Sequence, residues 1–194
     1  MVYGLGDPKG GLMARLPEFN ENNLTAAQKA VYDRINSGPR GGVRGPFKAL
    51  LQSPELGDLV QAVGGHLRYN GGLAGHLREL AILVTGRHAS AQYEFFAHAP
   101  IGIDEGLDPE IVEAVRTRCE PVFSDANTEL VYRFAKQLNE SQNVDDTTFN
   151  NAVDAFGHPG VVELVVLCGY YTLIAMTLNT FGITPPDGEE PFDD

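Results

Sequence analysis

The amino-acid sequence predicts an all-α protein. Apolar residues recur at helical spacing along much of the chain, as where Leu77, Leu80, Ala81 and Val84 stand at i, i+3, i+4 and i+7. No segment alternates between apolar and polar residues for long enough to predict a β-sheet. The chain has 194 residues, of which 43% are hydrophobic and 21% charged, so we expect one globular domain.

Capping residues and helix breakers delimit the predicted helices. Thr25 is a suitable N-cap, Pro46 suits the first position of a helix, and Ser53-Pro54 begins another. We expect the helix after Ser53 to turn its apolar residues inward, namely Leu56, Leu59, Val60, Val63 and Leu67. The predicted helices are 25–35, one from 46, 54–69, a pair within 78–102, a short one after 108, 127–139, 145–156 and 161–181, with a break at 157–160.

We divide the chain into three segments. We predict that residues 1–23 form an extended arm, that residues 24–186 form a helical domain and that residues 187–194 form an acidic tail. The N-terminal residues lack the apolar core of a signal peptide, so we expect a soluble, cytoplasmic protein. The longest apolar run, 161–178, contains Glu163, and we interpret it as a buried core or interface helix rather than a membrane span.

The net charge of −12 argues against nucleic acid or an anionic membrane as partner. It leaves room for a small anionic substrate, because a pocket can be locally basic on an acidic protein. Cys119 and Cys168 are far apart and form no Cys-x-x-Cys motif, so we interpret both as reduced thiols. Glu94 and His98 at i and i+4 would supply two metal ligands, with His88 or Glu79 as a third, but nothing else supports a metal site. We predict no cofactor.

Three polar residues stand in apolar surroundings on the predicted helix pair. Glu79 lies on the first helix, and Glu94 and His98 lie one turn apart on the second. A buried carboxylate or imidazole must be paired or functional, so these three are the candidate catalytic residues. The alternatives are an ordinary Glu–His pair on a solvated helix face and a Glu79 carboxylate that complements a helix N-terminus.

A short stretch of the sequence occurs twice. Glu-Leu-Ala-Ile-Leu at 79–83 returns as Glu-Leu-Val-Val-Leu at 163–167, and we interpret this as a weak internal duplication. At the same offset Glu94 falls on Leu178 and His98 on Gly182. The fold therefore does not require the second and third polar residues.

The order Glu79, Ala91, Glu94 and His98 resembles the carboxymuconolactone decarboxylase and alkylhydroperoxidase D (AhpD-like) superfamily. Its peroxidase members carry Glu, then Cys-x-x-Cys, then His in one helical hairpin, and the two Cys positions are Ala91 and Glu94 in this sequence. That pattern is similar to the Cys-less branch, whose helix has roughly Tyr-Glu-aromatic-x-x-His, here 93–98. The resemblance covers about residues 15–186 and includes segments at 44–47, 53–56, 169–171 and 178–181.

The resemblance implies an AhpD-like fold assembled as a homo-oligomer, often a trimer or hexamer. It also implies either cofactor-free decarboxylation of a small carboxylated lactone or disulfide-based peroxidase chemistry, which needs a thiolate and a resolving thiol within reach. Our leading hypothesis is a decarboxylase or related lyase of aromatic catabolism that acts on a carboxylated lactone or keto acid. The alternatives are a thiol oxidoreductase of peroxidase type and a non-catalytic oligomeric binding protein.

Decarboxylation without a cofactor needs an electron sink in the substrate, a cation for the carboxylate and an acid for the resulting carbanion. His98 is the predicted proton carrier, Glu94 orients the ring and raises its pKa, and Glu79 does the same or serves as a second acid. The candidates for contact with the substrate are Arg44, Arg68, Arg87, His66 with His88 as an alternative, and Tyr93.

Overall fold

The computed structural model describes residues 15–17 and 20–193, and in this part of the chain it is all-helical with no β-strand. The α-helices are α1 Ala26–Ser37, α2 Pro46–Leu50, α3 Pro54–Tyr69, α4 Gly75–His88, α5 Gln92–Asp104, α6 Pro109–Arg116, α7 Ala126–Ser141 and α8 Asp146–Phe181. The predicted all-α class is confirmed. Most of the predicted N-terminal arm, residues 1–14 and 18–19, lies outside the described residues.

The helix ends follow from local side-chain chemistry. Thr25 and Gln28 form a capping box at the start of α1, and Pro46 occupies the first position of α2. Helix α8 is bent at Gly157, whose φ of 68° favours glycine because it carries no Cβ. The bend falls within the predicted break at 157–160, so α8 consists of two helical segments joined end to end.

Helix α4 lies at the centre of the fold. It packs against α5, α7 and α8 and also contacts α6. The four residues Leu80, Ala81, Ile82 and Leu83 have no exposed surface, which means that this helix is covered on all sides rather than on one face. Glu79 stands next to them and is also fully buried, so the fold places a carboxylate inside the core.

The prediction for the inward face of α3 is wrong for three residues. Val60 and Leu67 are buried, but the remaining three apolar side chains are 55%, 68% and 44% exposed, and these are Leu56, Leu59 and Val63. The inner side of α3 uses Gly57 and Gly64 instead, because neighbouring atoms leave no room for a Cβ there. A Cβ on Gly57 would lie 2.6 Å from the Leu50 carbonyl oxygen.

Helix α8 also carries an exposed apolar face. By length and composition the helix is long and apolar enough to cross a membrane, and half of its most apolar window is buried inside the protein. The exposed residues on it are Val162, Val165, Val166, Leu173 and Met176. Together with the exposed residues of α3 they form two apolar surfaces that the described chain leaves uncovered.

Glu79 and Glu163, which correspond in the predicted internal duplication, make different contacts. The Glu163 carboxylate accepts hydrogen bonds from the backbone N–H groups of Gly72, at 2.8 Å, and Leu73, at 3.2 Å. Glu79 instead contacts side chains, His98 and Arg78. The internal duplication stays a prediction.

The acidic C-terminal segment is attached to the core through one aromatic residue. Phe192 is only 2% exposed, and its backbone N–H and C=O both bond to the side-chain amide of Gln92, at 3.2 Å and 2.5 Å. The Arg87 guanidinium lies 4.2 Å from the centre of its ring, and Phe95 meets the ring edge-on. The sequence contains no signal for this contact beyond an isolated aromatic residue among acidic ones.

We expect Phe192→Ala to lower the free energy of unfolding by about 3 kcal/mol, the usual cost of emptying a buried phenylalanine site. Urea unfolding of the variant measures the change. Val122→Ala is the matched control, since Val122 is 89% exposed and its loss should change the midpoint little. Equal midpoints for the two variants would contradict the docked position of the C-terminal segment.

Candidate active site

Helices α4 and α5 bring the three predicted catalytic residues into direct contact. His98 Nδ1 lies 2.6 Å from Glu79 Oε2, and His98 Nε2 lies 3.0 Å from Glu94 Oε1. All three residues are buried, with exposures of 0% for Glu79, 3% for Glu94 and 6% for His98. The interpretation of Glu94 and His98 as a pair on a solvated helix face is therefore wrong.

Two glycines allow the helices to approach closely enough for this contact. A Cβ on Gly86 of α4 would lie 3.3 Å from the Cβ and Cγ of Glu94, and a Cβ on Gly102 of α5 would lie 3.3 Å from the Cβ of Glu79. Each glutamate thus faces a glycine on the opposite helix. The antiparallel pair places Glu79 and Glu94 on opposite sides of the His98 ring.

The charge state of the cluster follows from its hydrogen bonds. Both ring nitrogens of His98 face carboxylate oxygens, which accept hydrogen bonds when ionised, so both nitrogens donate and the ring is an imidazolium. Burial lowers the pKa of His98, but the hydrogen bonds and charges of Glu79 and Glu94 outweigh it and raise that pKa to about 9. The ring is positively charged at neutral pH.

Arg78 completes the charge balance on the far side of Glu79. Its Nε donates to Glu79 Oε1 at 3.0 Å, and its guanidinium lies 3.6 Å from Glu105. Burial alone would raise the pKa of Glu79, but His98 and Arg78 together hold it below its usual range. Two cations therefore face two buried carboxylates, and the half-exposed Glu105 is a third carboxylate at the edge of the site.

Two tyrosines of α8 cover the cluster. Tyr171 meets the His98 ring edge-on with centroids 5.1 Å apart, and Tyr170 meets Tyr171 in the same way at 5.3 Å. Burial and the nearby Glu94 carboxylate raise the pKa of Tyr171 well above its usual value, so its hydroxyl stays protonated. These rings keep water away from one side of the imidazolium.

The cluster opens towards two adjoining cavities. The inner cavity, of about 60 Å³, is lined by Glu94, His98, Tyr170 and Tyr171. The outer cavity, of about 560 Å³, is larger and is lined in part by Arg44, Tyr93, Phe96 and Ile101. The residues common to both linings are Arg40, Phe47 and Arg68.

The structure places three of the predicted substrate contacts at these cavities. Arg68 lines both cavities, and Arg44 and Tyr93 line the outer one. Gly45 makes room for Tyr93, since a Cβ there would lie 2.5 Å from the ring, and its φ of 52° also favours glycine. The Arg44 to Phe47 segment thus contributes to the cavity wall.

The other predicted contacts line neither of these two cavities. Arg87 donates to the Arg116 carbonyl oxygen at 2.7 Å and packs on Phe192. His66 is on the exposed side of α3 and lines neither cavity. His88 lines a separate cavity of about 390 Å³ between α4, α6 and α7.

Four residues of the site were missed by the sequence analysis: Arg40, Arg78, Tyr170 and Tyr171. Arg40 stands in the same glycine-rich loop as Arg44, and the two tyrosines lie in a segment that resembles the family pattern. The sequence around Arg40, Tyr170 and Tyr171 does not distinguish a cavity residue from a surface or core residue. Arg78 is adjacent in sequence to Glu79, and neighbours on a helix do not normally share a face.

The geometry changes the expected route of the proton. His98 was predicted to exchange a proton with the substrate directly, but both of its nitrogens are occupied by carboxylates. Glu94 bonds to His98 through Oε1 and also lines the inner cavity. Glu94 is therefore a carboxylate that both contacts His98 and reaches the inner cavity.

The two thiols lie apart from this cluster. Cys168 is buried, which raises its pKa to about 11, and Cys119 is exposed beside the separate cavity lined by His88 and Arg118. Neither thiol lines the inner or the outer cavity. In the part of the chain that the structure describes, no group of three His, Cys, Asp or Glu side chains is arranged to hold a metal ion.

The fold is shared with a solved structure. An uncharacterized peroxidase-related protein from Silicibacter sp. TM1040 superimposes with a TM-score of 0.72, covering 95% of this chain and 96% of that chain at 17% sequence identity. At this identity the likeness establishes a common fold. The sequence matches no family model and no curated protein.

We expect stability to fall as the pH rises from 6.5 to 9. Folding raises the pKa of His98 from 6.5 to about 9. The protonated ring therefore contributes its full share to the free energy of unfolding below pH 6.5, and this contribution is lost as the pH rises to about 9. The loss should be about 3 kcal/mol, at about 1.4 kcal/mol per pKa unit. The pKa of Glu79 is lowered, so its contribution is lost instead as the pH falls below the usual glutamate value.

Urea unfolding at several pH values measures this dependence, and His98→Gln should reduce it. Nitrogen NMR of the His98 ring provides a check that does not rely on a variant, because both ring nitrogens should be protonated at pH 8. A neutral ring at pH 7 would contradict the assigned charge state.

Proposed function

We propose that the protein is an acid/base enzyme that transfers a proton on a small carboxylate substrate. The observation that carries this proposal is the Glu79–His98–Glu94 array, in which a buried imidazolium is joined to a carboxylate on the wall of an arginine-lined cavity. A proton donor with a raised pKa, held beside a cationic binding cavity, is an arrangement typical of active sites.

The particular reaction that we propose is decarboxylation of a carboxylated lactone or keto acid. The bond between the carboxylate and the adjacent carbon breaks, carbon dioxide leaves, and the electron pair passes into the lactone or keto carbonyl as an enolate. A proton then moves from His98 through Glu94 to the enolate carbon, and the imidazole regains a proton from solvent. Glu79 and Arg78 keep His98 oriented and charged before the transfer.

The chain's own residues supply what this reaction needs. Arg40 and Arg68 line both cavities and offer positive charge to the substrate carboxylate or enolate. Tyr171 and Phe47 line the inner cavity with aromatic rings, and apolar surroundings strengthen these electrostatic interactions. The resemblance of the helical hairpin to the Cys-less branch of the decarboxylase superfamily favours the same chemistry.

Peroxidase chemistry is the second candidate, and one observation favours it: the structural neighbour is described as a peroxidase-related protein. A thiol-based route would need a thiolate beside His98. In this chain Glu94 stands where the family pattern has the second cysteine, and the buried Cys168 has a raised pKa. Proton transfer through Glu94 is therefore the better-supported function.

We expect Glu94→Gln to lower turnover by at least about 100-fold, because the amide cannot carry the proton between His98 and the substrate. The assay is a panel of carboxylated lactones, muconate-type acids and keto acids, followed by carbon dioxide release and by deuterium exchange next to the carbonyl. Glu129→Gln, an exchange on the surface of α7, should leave turnover unchanged.

The same panel separates the alternatives. A variant with Cys119→Ser and Cys168→Ala should keep full turnover, whereas a thiol mechanism predicts loss of hydroperoxide consumption. If Glu94→Gln keeps full turnover on a substrate that the wild type converts, the assigned role is wrong. If the substitution changes thermal stability and no panel member is bound or converted, the binding-protein hypothesis is preferred.

We also propose that the protein is a homo-oligomer, as the family resemblance implies. The exposed apolar faces of α3 and α8 support this, since such surfaces on soluble proteins are commonly covered by another chain. We expect Leu59→Glu combined with Met176→Glu to shift the assembly towards monomer in sedimentation, while Val122→Glu, at an isolated exposed site, should not. A wild-type monomer at micromolar concentration would contradict the proposal.

A further inference from the structure

Tyr170 places a hydroxyl in the inner cavity without a bonding partner. The residue is 8% exposed, it lines that cavity, and its Oη makes no hydrogen bond of good geometry among the described residues. Burial raises the pKa of Tyr170 to about 12, although the charge of the neighbouring Arg40 guanidinium and its contact with the oxygen oppose the shift. The hydroxyl is therefore protonated at physiological pH and its O–H is a donor. A buried donor left unpaired destabilises the fold unless a ligand accepts its hydrogen bond.

Arg40 presents a second buried donor beside it. Its guanidinium lies over the Phe47 ring at 4.5 Å and donates one bond, 3.4 Å long, to the Gln61 carbonyl oxygen. Its Nε is buried without a hydrogen-bond partner. The side chain is thus held by one terminal nitrogen and by stacking, which leaves the Nε–H available.

Gly64 allows these two groups to converge. A Cβ at this position would lie 2.7 Å from a terminal nitrogen of Arg40 and would overlap the hydroxyl of Tyr170. Helix α3 therefore provides a concave site where both groups meet the same helix face. Any larger residue would displace the Tyr170 hydroxyl or the terminal nitrogen of Arg40, and with that nitrogen the guanidinium that carries Nε.

The charge of the cavity determines what these donors accept. Arg40 and Arg68 bring two positive charges to the inner lining, and the only acidic residue there, Glu94, is bonded to His98. Donors and cations together favour an anionic acceptor. The inner cavity of about 60 Å³ suits a single small oxyanionic group, and the outer cavity of about 560 Å³ has room for the body that carries it.

We infer that Tyr170 Oη and Arg40 Nε bind the carboxylate of a small ring or keto acid in the inner cavity, next to Glu94. This assigns substrate-binding roles to two residues and defines the ligand as a compact carboxylate whose apolar body lies between Phe47 and the aromatic residues of the outer cavity. The assignment of the ligand class rests on the proposed function. The binding itself does not require turnover.

The test is calorimetric titration with two probes. One is a γ-butyrolactone ring that carries a carboxylate substituent, and the other is the same ring with a neutral carboxamide in place of that carboxylate. Wild type should bind the carboxylate at least about tenfold more tightly than the carboxamide. Tyr170→Phe and Arg40→Met should each weaken carboxylate binding by at least about tenfold, as expected for a lost hydrogen bond to a charged group. Carboxamide binding should change little.

Matched controls remove the same chemical groups away from the inner cavity. Tyr69→Phe removes a hydroxyl from a side chain that lines only the outer cavity, and Arg133→Met removes a guanidinium from the surface of α7. Each should change carboxylate binding by less than about threefold. Tyr170→Phe keeps the buried ring and removes only the hydroxyl, so this variant tests the inference even if Arg40→Met folds poorly.

The outcomes distinguish this inference from the proposed function. Equal binding of the two probes by wild type, or unchanged carboxylate binding in Tyr170→Phe, would overturn the inference. Deuterium exchange into the bound probe that depends on Glu94 would still support the acid/base function in that case. Conversely, carboxylate binding that depends on Tyr170 and Arg40, with no exchange in wild type, would uphold the anion site and contradict the proposed function.

Discussion

The structure depends on one buried imidazolium held between two carboxylates. A charged ring inside a protein is costly unless its hydrogen bonds are complete, and Glu79 and Glu94 complete them on both sides of His98. The same requirement explains the glycines that face each glutamate, since the contact is possible only where α4 and α5 approach closely. The central position of α4 then keeps water from competing for these bonds.

The polar groups of the Glu79–His98–Glu94 cluster all have hydrogen-bond partners, whereas some polar groups of the inner cavity do not. Around His98 each charge has a partner, and Arg78 balances the second carboxylate. In the adjoining cavity Arg40 Nε and Tyr170 Oη are buried without partners. A site whose positioning groups are fully bonded and whose cavity donors are free is prepared to receive an acceptor. This contrast connects the proton-transfer proposal with the proposed carboxylate site.

The outer surface shows how a helix pattern can mislead. Leu56, Leu59 and Val63 have the spacing of an inward face, but α3 packs through Gly57 and Gly64 because Leu50 and Tyr170 already occupy that space. Helical spacing shows which residues share a face, but it does not show whether the rest of the chain or a second chain covers that face. The exposed faces of α3 and α8 are consistent with an oligomer.

The sequence by itself determined the all-α class, the capped helix starts and the contact of Glu79, Glu94 and His98, because these follow from local spacing and from the cost of burying charge. Tertiary structure alone decided which arginines reach the cavity. The sequence around Arg40 and around Arg87 does not show that the first lines the cavity and the second contacts Arg116 and Phe192. It also decided that Phe192 joins the core and that both ring nitrogens of His98 are taken up by carboxylates although the residue lines the inner cavity. Those outcomes depend on how distant helices pack, and single-chain periodicity carries no information about that.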